Sequence, residues 1–199
     1  IPAILLKNCA EQLCHPIKLI WTESFQSGIV PQFYKDTHIT PLFKKGDRAR
    51  VVNYRPVALT SHIIKIYERI LRKSMVSFIE ENELLSDNQH GFRSGRSCLT
   101  QLLSHVDDIV QGLLKGVDTD AIYLDFAKAF DKVDHRLLLL KMKRLGFHDK
   151  VISWVESFLS DRKQSVVLNG ISSFTILILS GVPQGTVLGP LLFIIFIND

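Results

Sequence analysis

The residue with the clearest chemical potential is Asp125, which directly follows the short apolar run 121–124. Such a run predicts a buried strand, so the carboxylate would lie partly buried, where an ionised group is costly unless it pairs or binds a cation. Mg²⁺ suits such a position because it takes hard oxygen ligands and binds through few carboxylates plus substrate phosphates. For an isolated aspartate, capping of the next turn is the better explanation. The same explanation applies to Asp131 and Asp134 beside a predicted helix start, and neither is assigned to a metal.

A glycine-containing loop at residues 180–186 separates a predicted strand from a predicted helix. Gly181 and Gly185 would let the backbone approach a ligand closely, and the Gln184 side chain can donate and accept hydrogen bonds. The loop is typical of a ligand contact, but equally of a plain strand-to-helix connection.

A cluster of basic residues follows the first predicted strand and could hold phosphate groups. Lys44 and Lys45 offer ammonium groups in an exposed turn, and Arg55 offers a bidentate guanidinium at the start of the next predicted strand. Arg48 and Arg50 are better interpreted as part of a solvated charged turn.

A second basic segment, 88–97, is polar and rich in small residues, and it precedes a predicted helix. Arg93 and Arg96 alternate there with glycine and serine, and Phe92 adds an aromatic ring. A helix N-terminus attracts anions, so the segment could contact a nucleic-acid backbone. A capped helix start with surface arginines explains the same residues equally well.

The bulk composition fits one domain with a sizeable core and an anionic partner. Of the 199 residues, 46% are hydrophobic, and the net charge is +4 with a pI of about 9.0. The 3 cysteines, scattered in the sequence, argue against a disulfide framework and against a zinc site. Because Ile1 opens the sequence without a methionine, we expect the sequence to belong to a longer protein.

The elements that must position these residues form an α+β pattern. Apolar periodicity, capping residues and turn residues predict each of them. Predicted helices cover 3–27 (as two helices divided at Pro16), about 62–81 with Thr60 or Ser61 as cap, 98–114, 135–145, 149–159 and 187–197; predicted strands cover 38–40, 55–59, 121–124 and a hairpin of 166–168 with 176–179, turning at Asn169–Gly170.

Taken together, the segments resemble the reverse transcriptases of non-LTR (LINE-type) retrotransposons, most closely the jockey and CR1 groups. The resemblance covers essentially the whole chain and rests on motifs that occur in the family's order. They are residues 39–47, 53–57, 91–97, 124–131 and 181–185.

The resemblance implies a right-hand polymerase fold of fingers, palm and thumb. Residues 1–118 would be an N-terminal extension and fingers, and residues 119–199 a partial palm, with the thumb absent. The implied function is RNA-directed DNA polymerisation for a mobile element. Its partners would be an RNA template, a DNA primer and deoxynucleoside triphosphates, with no membrane involved. The family's work on chromosomal DNA implies an intracellular location, in nucleus and cytoplasm.

The family's catalytic roles fall on the 124–131 motif. Asp125 would bind both Mg²⁺ (or Mn²⁺) ions, and the backbone carbonyl of Phe126 would add a ligand. Phe130 would lie beneath the sugar of the incoming nucleotide, where its ring would exclude a 2′-OH. The implied reaction is two-metal phosphoryl transfer. Correct positioning of the reactants would supply most of the remaining rate enhancement.

The remaining implied roles concern substrate binding. Gln184, with Pro183 and Gly185, would contact the incoming nucleotide and the template. One of Lys44 and Lys45, together with Arg55, would grip the triphosphate, and the sequence does not distinguish the two lysines. Arg93 and Arg96 would lie near the template.

One motif of the family does not occur in this sequence. The family follows its last palm helix with an aromatic residue, any residue and two aspartates, whereas Asp107–Asp108 is the only adjacent pair here. With one carboxylate for two ions, we expect no polymerisation by the isolated chain. We also expect exposed apolar surface around 191–197 and poor solubility.

Two other functions are alternatives to polymerisation. A non-catalytic nucleic-acid-binding remnant would use the basic segments alone and need no Mg²⁺. A different nucleotide-binding α/β domain has little support, because neither a phosphate-binding Gly-x-x-x-x-Gly-Lys-Ser/Thr loop nor a dinucleotide fingerprint occurs.

Overall fold

The computed structural model describes residues 2–198 and shows a mixed α and β fold. Seven α-helices occur within that range, and most of the predicted helices are confirmed. Their bounds are α1 Ala3–Asn8, α2 Ala10–Ser27, α3 His62–Glu81, α4 Cys98–Leu114, α5 His135–Arg144, α6 Asp149–Leu159 and α7 Gly189–Ile197.

Helix starts follow the capping chemistry of the sequence. The Ser61 hydroxyl accepts the N–H of Ile63 at the start of α3. Ser97 and Thr100 form a reciprocal capping box at the start of α4. Such side chains satisfy N–H groups that a helix leaves unpaired, so they fix where each helix begins.

One sheet of five strands lies beside the helices within the described residues. The strand order is β2-β1-β3-β4; β1 pairs antiparallel with β2 and parallel with β3, and β5 also pairs with β3. Strand bounds are β1 Asp36–Phe43, β2 Tyr54–Leu59, β3 Lys163–Leu168, β4 Ile171–Ser172 and β5 Ile176–Leu177, and short 3-10 turns cover Gln32–Tyr34, Val51–Asn53 and Ala129–Lys132.

The core is built on the apolar stripe of α3, against which α2, α5, α6 and α7 contribute buried side chains. Trp21 stacks on Tyr67 with ring centroids 4.6 Å apart, and Tyr67 lies 4.9 Å from Trp154. These aromatic rings supply much of the buried apolar area that stabilises the fold.

The predicted strand at 121–124 is wrong. Residues 117–126 have no regular structure, and Ile122 and Leu124 are each 84% exposed. Among residues 2–198 no strand pairs with the segment, so no ladder satisfies its backbone groups and they face water. The predicted subdomain boundary at 118–119 falls in this segment and stays a prediction. Ile1 and Asp199, the outer ends of the two predicted regions 1–118 and 119–199, lie outside the described residues.

The expectation of exposed apolar surface around 191–197 is wrong for most of that segment, and within it Ile197 alone is exposed, at 37%. Leu191, Leu192, Ile194 and Ile195 are at most 2% exposed, because α7 is apolar on every side and packs into the core beside α5. The exposed apolar surface lies instead on α4, where no residue is buried. Its exposed members are Leu99, Leu102, Leu103, Val106, Val110, Leu113 and Leu114.

Two local predictions need smaller corrections. The break between the first helices lies at Cys9, whereas Pro16 is inside α2 on an exposed position, where a helix can bend and the unpaired carbonyl reaches water. The turn at Asn169–Gly170 is confirmed, with φ of 51° and 79°. The strand that returns from it is β4, and β5 pairs with the start of β3 as a separate strand.

No helix within residues 2–198 combines the length and the apolar character that a bilayer crossing requires.

Candidate active site

Backbone hydrogen bonds join the predicted nucleotide loop 181–185 to the turn that carries Phe130. Val182 donates its N–H to the carbonyl oxygen of Phe130 at 2.8 Å, and Gly181 donates to that of Val133 at 2.8 Å. Their short, paired geometry holds the two segments side by side although about 50 residues of sequence separate them.

Gly181 is required by this close approach. Its φ is +88°, and a Cβ at this position would lie 2.8 Å from the Cα of Asp131. His135 Nε2 lies 2.8 Å from the carbonyl oxygen of Gly181 and donates to it. The loop therefore starts in a conformation that only glycine adopts without strain.

The other end of the loop is attached to the sheet. Ala58, in β2, donates its N–H to the carbonyl oxygen of Gln184 at 2.9 Å. Gly185 has a φ of +101°, and a Cβ there would lie 2.8 Å from the Ala58 carbonyl oxygen. Gln184 is thus held between the sheet and the Phe130 turn.

A cavity of about 60 Å³ lies under the loop. Gln184, Asp131, Pro56 and Arg162 are among the residues that line it. Arg162 is 1% exposed, and its Nη2 donates to Thr37 Oγ1 at 2.8 Å. Burial lowers the pKa of Arg162 to about 10, and the negative charges of Glu68 and Asp36 oppose that shift.

The Phe130 ring is half-buried and fixed by two aromatic neighbours. It stacks on Phe193 of α7 with centroids 4.6 Å apart and an interplanar angle of 16°. Phe92 meets it edge-on at 6.0 Å. Packing of this kind limits the ring to one orientation at the edge of the core.

The basic residues predicted to hold phosphate groups lie together at one end of the β1–β2 hairpin. Leu42 is opposite Arg55 in the register, and Lys44 donates its backbone N–H to Asn53 at 2.9 Å just beyond it. The side chains of Lys44, Lys45 and Arg55 are exposed. The geometry brings these three cations to one surface but does not choose between the two lysines.

The two arginines predicted near a template are both engaged within the chain. Arg93 makes a bidentate contact with Glu80 at 3.2 and 3.0 Å, and hydrogen bonding to Glu80 raises its pKa. Arg96 binds the Asp87 carboxylate at 2.9 Å. These contacts fix the segment 86–96 against α3, and a role in template binding stays a prediction.

Asp125 is exposed and makes neither a hydrogen bond nor an ion pair with another described residue. The structure therefore brings Phe130, Gln184 and Ala58 of β2 together, places Arg55, Lys44 and Lys45 at the other end of β2, and leaves Asp125 in the irregular segment.

Comparison with known proteins now decides the family. The family model for reverse transcriptase (RNA-dependent DNA polymerase) matches residues 43–199. The chain belongs to the reverse transcriptase family. It is a domain of the non-LTR, LINE-type branch, because its curated relatives are polymerases of such transposons.

Three relatives of this reverse transcriptase domain come from Drosophila melanogaster. The probable RNA-directed DNA polymerase from transposon BS is 32% identical over 92% of this chain and 20% of its own length. The polymerase from mobile element jockey is 32% identical over 95% of this chain and 21% of its own. The probable polymerase from transposon X-element is 30% identical over 98% and 21%. The chain spans about a fifth of the length of these relatives.

Reverse transcriptases generally use divalent metal ions, and the residues predicted to hold them would provide few ligands. Asp125 and the Phe126 carbonyl offer two oxygen ligands, and no cluster of three or more Asp, Glu, His or Cys residues occurs within 2–198. A Mg²⁺ ion needs near-octahedral oxygen coordination. These two ligands alone therefore do not fit a two-ion site.

Sequence reasoning missed Glu68 and Arg162, which are 0% and 1% exposed. Glu68 was detectable in principle, because it follows Ile64 by four residues and lies on the apolar stripe of α3. Arg162 carried no such signal, because it directly precedes a strand in a polar stretch.

Proposed function

We propose that this chain is the fingers and part of the palm of an RNA-directed DNA polymerase of a mobile element, organised as in a right-hand polymerase. In this assignment the loop 181–185 and the Phe130 turn form the pocket for the incoming deoxynucleoside triphosphate. The nucleic-acid partners would be an RNA template and a DNA primer, and the site of action would be intracellular, in cytoplasm and nucleus.

One observation carries the proposal. The loop is hydrogen-bonded on one side to Phe130, through Val182, and on the other to β2, through Ala58. It therefore joins the two segments in which the family resemblance places the sugar contact and the phosphate contacts. A plain strand-to-helix connection does not require attachment on both sides.

Each side chain has a defined task in this pocket. The exposed cations Lys44 or Lys45 and Arg55 would hold the triphosphate, and the guanidinium fork suits two phosphate oxygens at once. Gln184, with Pro183 and Gly185, would orient the base pair. The Phe130 ring, braced by Phe193, would clash with a 2′-OH, because a fixed ring cannot move aside.

Divalent ions such as Mg²⁺ or Mn²⁺ neutralise charge in phosphoryl transfer. We propose that Asp125 and the Phe126 carbonyl contribute to such a site without completing it. The 199-residue chain is therefore expected to bind a nucleotide without extending a primer.

Equilibrium binding of a fluorescent deoxynucleoside triphosphate to the 199-residue chain tests the proposal. Gln184→Ala and Arg55→Ala should each weaken binding about tenfold, the loss expected for a hydrogen bond to a charged or polar partner. Arg69→Ala and Gln26→Ala, which alter exposed residues on α3 and α2, are the matched controls. Equal affinity for all five proteins would refute the proposed pocket.

A further inference from the structure

Glu68 is a fully buried carboxylate on α3 that contacts the start of the last helix. Its Oε2 accepts the backbone N–H groups of Val187 at 2.7 Å and Leu188 at 2.9 Å. The residue is 0% exposed, and its position in the apolar stripe would suit a leucine. An acid at such a place costs free energy unless its contacts compensate.

The contact adds to the capping of α7. Leu188, the N-cap residue, makes no capping hydrogen bond with its own side chain, and the Thr186 hydroxyl accepts the N–H of Gly189 at 3.1 Å. The first N–H groups of a helix need acceptors, and negative charge near them is favourable. Glu68 brings negative charge to this end from a different helix and accepts the N–H of the N-cap residue Leu188 and of Val187 before it, so α3 helps to fix where α7 begins.

The same contact fixes the nucleotide loop, because Val187 follows Gly185 by two residues. Between them, the Thr186 hydroxyl donates to the Pro183 carbonyl oxygen at 2.8 Å and accepts the N–H of Gly189 at 3.1 Å. These hydrogen bonds join residues 183–189 to one another, so we expect the turn to move as a unit. Glu68 restrains that unit at its C-terminal end, opposite the bond from Ala58.

Glu68 also interacts electrostatically with a buried positive charge. Arg162 is 1% exposed and lines the cavity under Gln184. Glu68 Oε1 and Arg162 Nε each have no hydrogen-bond partner, and the two groups form no ion pair within 4 Å among the described residues. Each group nevertheless affects the pKa of the other: the charge of Arg162 opposes the rise of the Glu68 pKa, and the charge of Glu68 opposes the fall of the Arg162 pKa.

We propose that Glu68 is a positioning residue that holds the Gln184 loop in place through the amides of Val187 and Leu188. The effect of Glu68 on nucleotide binding rests on the proposed nucleotide pocket. The restraint of the loop by Glu68 does not depend on that pocket.

Hydrogen exchange of backbone amides in the 199-residue chain tests the structural content. Glu68→Leu removes the acceptor, and exchange should become at least about tenfold faster at Val187 and Leu188 and at Ala58 and Val182, whose amides tie the loop to its neighbours. The amides in the middle of α3 should stay protected. Glu68→Gln keeps a neutral acceptor and should give a smaller acceleration at the same amides. Glu81→Gln, an exposed site on the same helix, should change none of them.

Two outcomes overturn the proposal. One is acceleration confined to Val187 and Leu188, which makes Glu68 a local helix cap only. The other is an unchanged loop in Glu68→Gln. If Glu68→Leu loses protection along α3 as well, the variant is unfolded and Glu68→Gln decides.

The functional meaning is tested by the affinity for a deoxynucleoside triphosphate. Glu68→Gln should weaken binding in the same direction as Gln184→Ala, with Glu81→Gln equal to the parent chain. If Gln184→Ala binds normally, the nucleotide pocket fails while the exchange result still decides what Glu68 does. If Gln184→Ala weakens binding and Glu68→Gln does not, the positioning role fails and the pocket survives.

Discussion

The carbonyl oxygen of Phe130 accepts the N–H of Val182 at 2.8 Å. This bond places the ring predicted to select the sugar next to the loop predicted to contact the base. The approach is so close that the residue before Val182 has no room for a side chain, and that gives a first test of the arrangement.

Gly181→Ala should destabilise the fold and separate the two segments. The substitution costs roughly 1–2 kcal/mol for a left-handed conformation, and its Cβ would also overlap the backbone of Asp131. Gly170→Ala is the matched control, because Gly170 has a φ of +79° and no atom within 4 Å of its ideal Cβ. Urea unfolding should give a larger loss for Gly181→Ala than for Gly170→Ala. Equal losses of unfolding free energy in the two variants would mean that the contact between Gly181 and Asp131 does not affect stability.

Phe130→Ala should reduce discrimination between deoxynucleoside and ribonucleoside triphosphates. Removal of the ring opens the space in which a 2′-OH would clash, so ribonucleotide affinity should rise toward deoxynucleotide affinity. Competition binding with matched triphosphate pairs measures the ratio. Phe174→Ala, at a position 84% exposed, should leave the ratio unchanged. A ratio that does not move in Phe130→Ala contradicts the sugar-contact assignment.

The helices and the hairpin turn were predictable because their signals are local. Ser61 and Ser97 cap the helices that they precede, and Asn169–Gly170 forms the tight turn its residue types favour. The roles of Phe130, Gln184 and Arg55 came from the family resemblance and stay predictions, whereas the backbone contacts that join the loop to Phe130 and Ala58 are seen only in the structure. Residue types alone had left the loop undecided.

The failures share a physical cause, which is that burial depends on a neighbour elsewhere in the chain. The run 121–124 and helix α7 are both apolar, yet the first is exposed and the second is buried. Arg93 likewise finds Glu80 only because the loop folds back on α3. The composition of a segment indicates whether its side chains favour burial or ion pairing. The tertiary fold determines whether a partner for either is present.

Leu103→Glu and Leu192→Glu should therefore behave in opposite ways. Leu103 is 61% exposed on α4, so a charge there should change stability by no more than about 0.5 kcal/mol and should reduce self-association. Leu192 is 0% exposed in α7, and an unpaired charge there should cost more than about 4 kcal/mol. Thermal unfolding and light scattering measure both effects. A Leu192→Glu protein as stable as the parent would contradict the buried position of α7.

The stability of the chain should depend on pH through Glu68. Burial raises the pKa of its carboxyl above its ordinary value of 4.5, while the amides of Leu188 and Val187 and the charges of Arg162 and Lys65 oppose the shift. A raised folded-state pKa means that the folded chain binds the proton more tightly, so its contribution to stability is full below pH 4.5 and is lost as pH rises through the raised pKa. Protonation on Oε1, which has no hydrogen-bond partner, leaves both hydrogen bonds from the backbone N–H groups to Oε2 intact.

Unfolding of the parent chain and of Glu68→Gln at a series of pH values isolates this contribution. The free energy of unfolding of the parent should fall relative to the variant as pH rises above 4.5, because glutamine does not titrate. Glu81→Gln, which alters an exposed carboxylate, should keep a constant difference from the parent over the same range. A constant difference for Glu68→Gln would show that the carboxyl titrates alike in both states.

Salt dependence of nucleic-acid binding separates a polymerase pocket from a binding remnant. Each phosphate contact contributes a slope of about −0.7 to −0.9 in log affinity against log salt, so loss of Lys44 or Lys45 should reduce the slope by about one contact if that lysine binds nucleic acid. If instead the lysine grips a triphosphate, its alanine variant should lose nucleotide affinity and keep the slope for single-stranded RNA. Asp125→Ala, at an exposed and unpaired site, should leave RNA binding unchanged in both cases. A chain that binds RNA with a steep slope but shows no nucleotide binding in any variant would favour the remnant over the polymerase pocket.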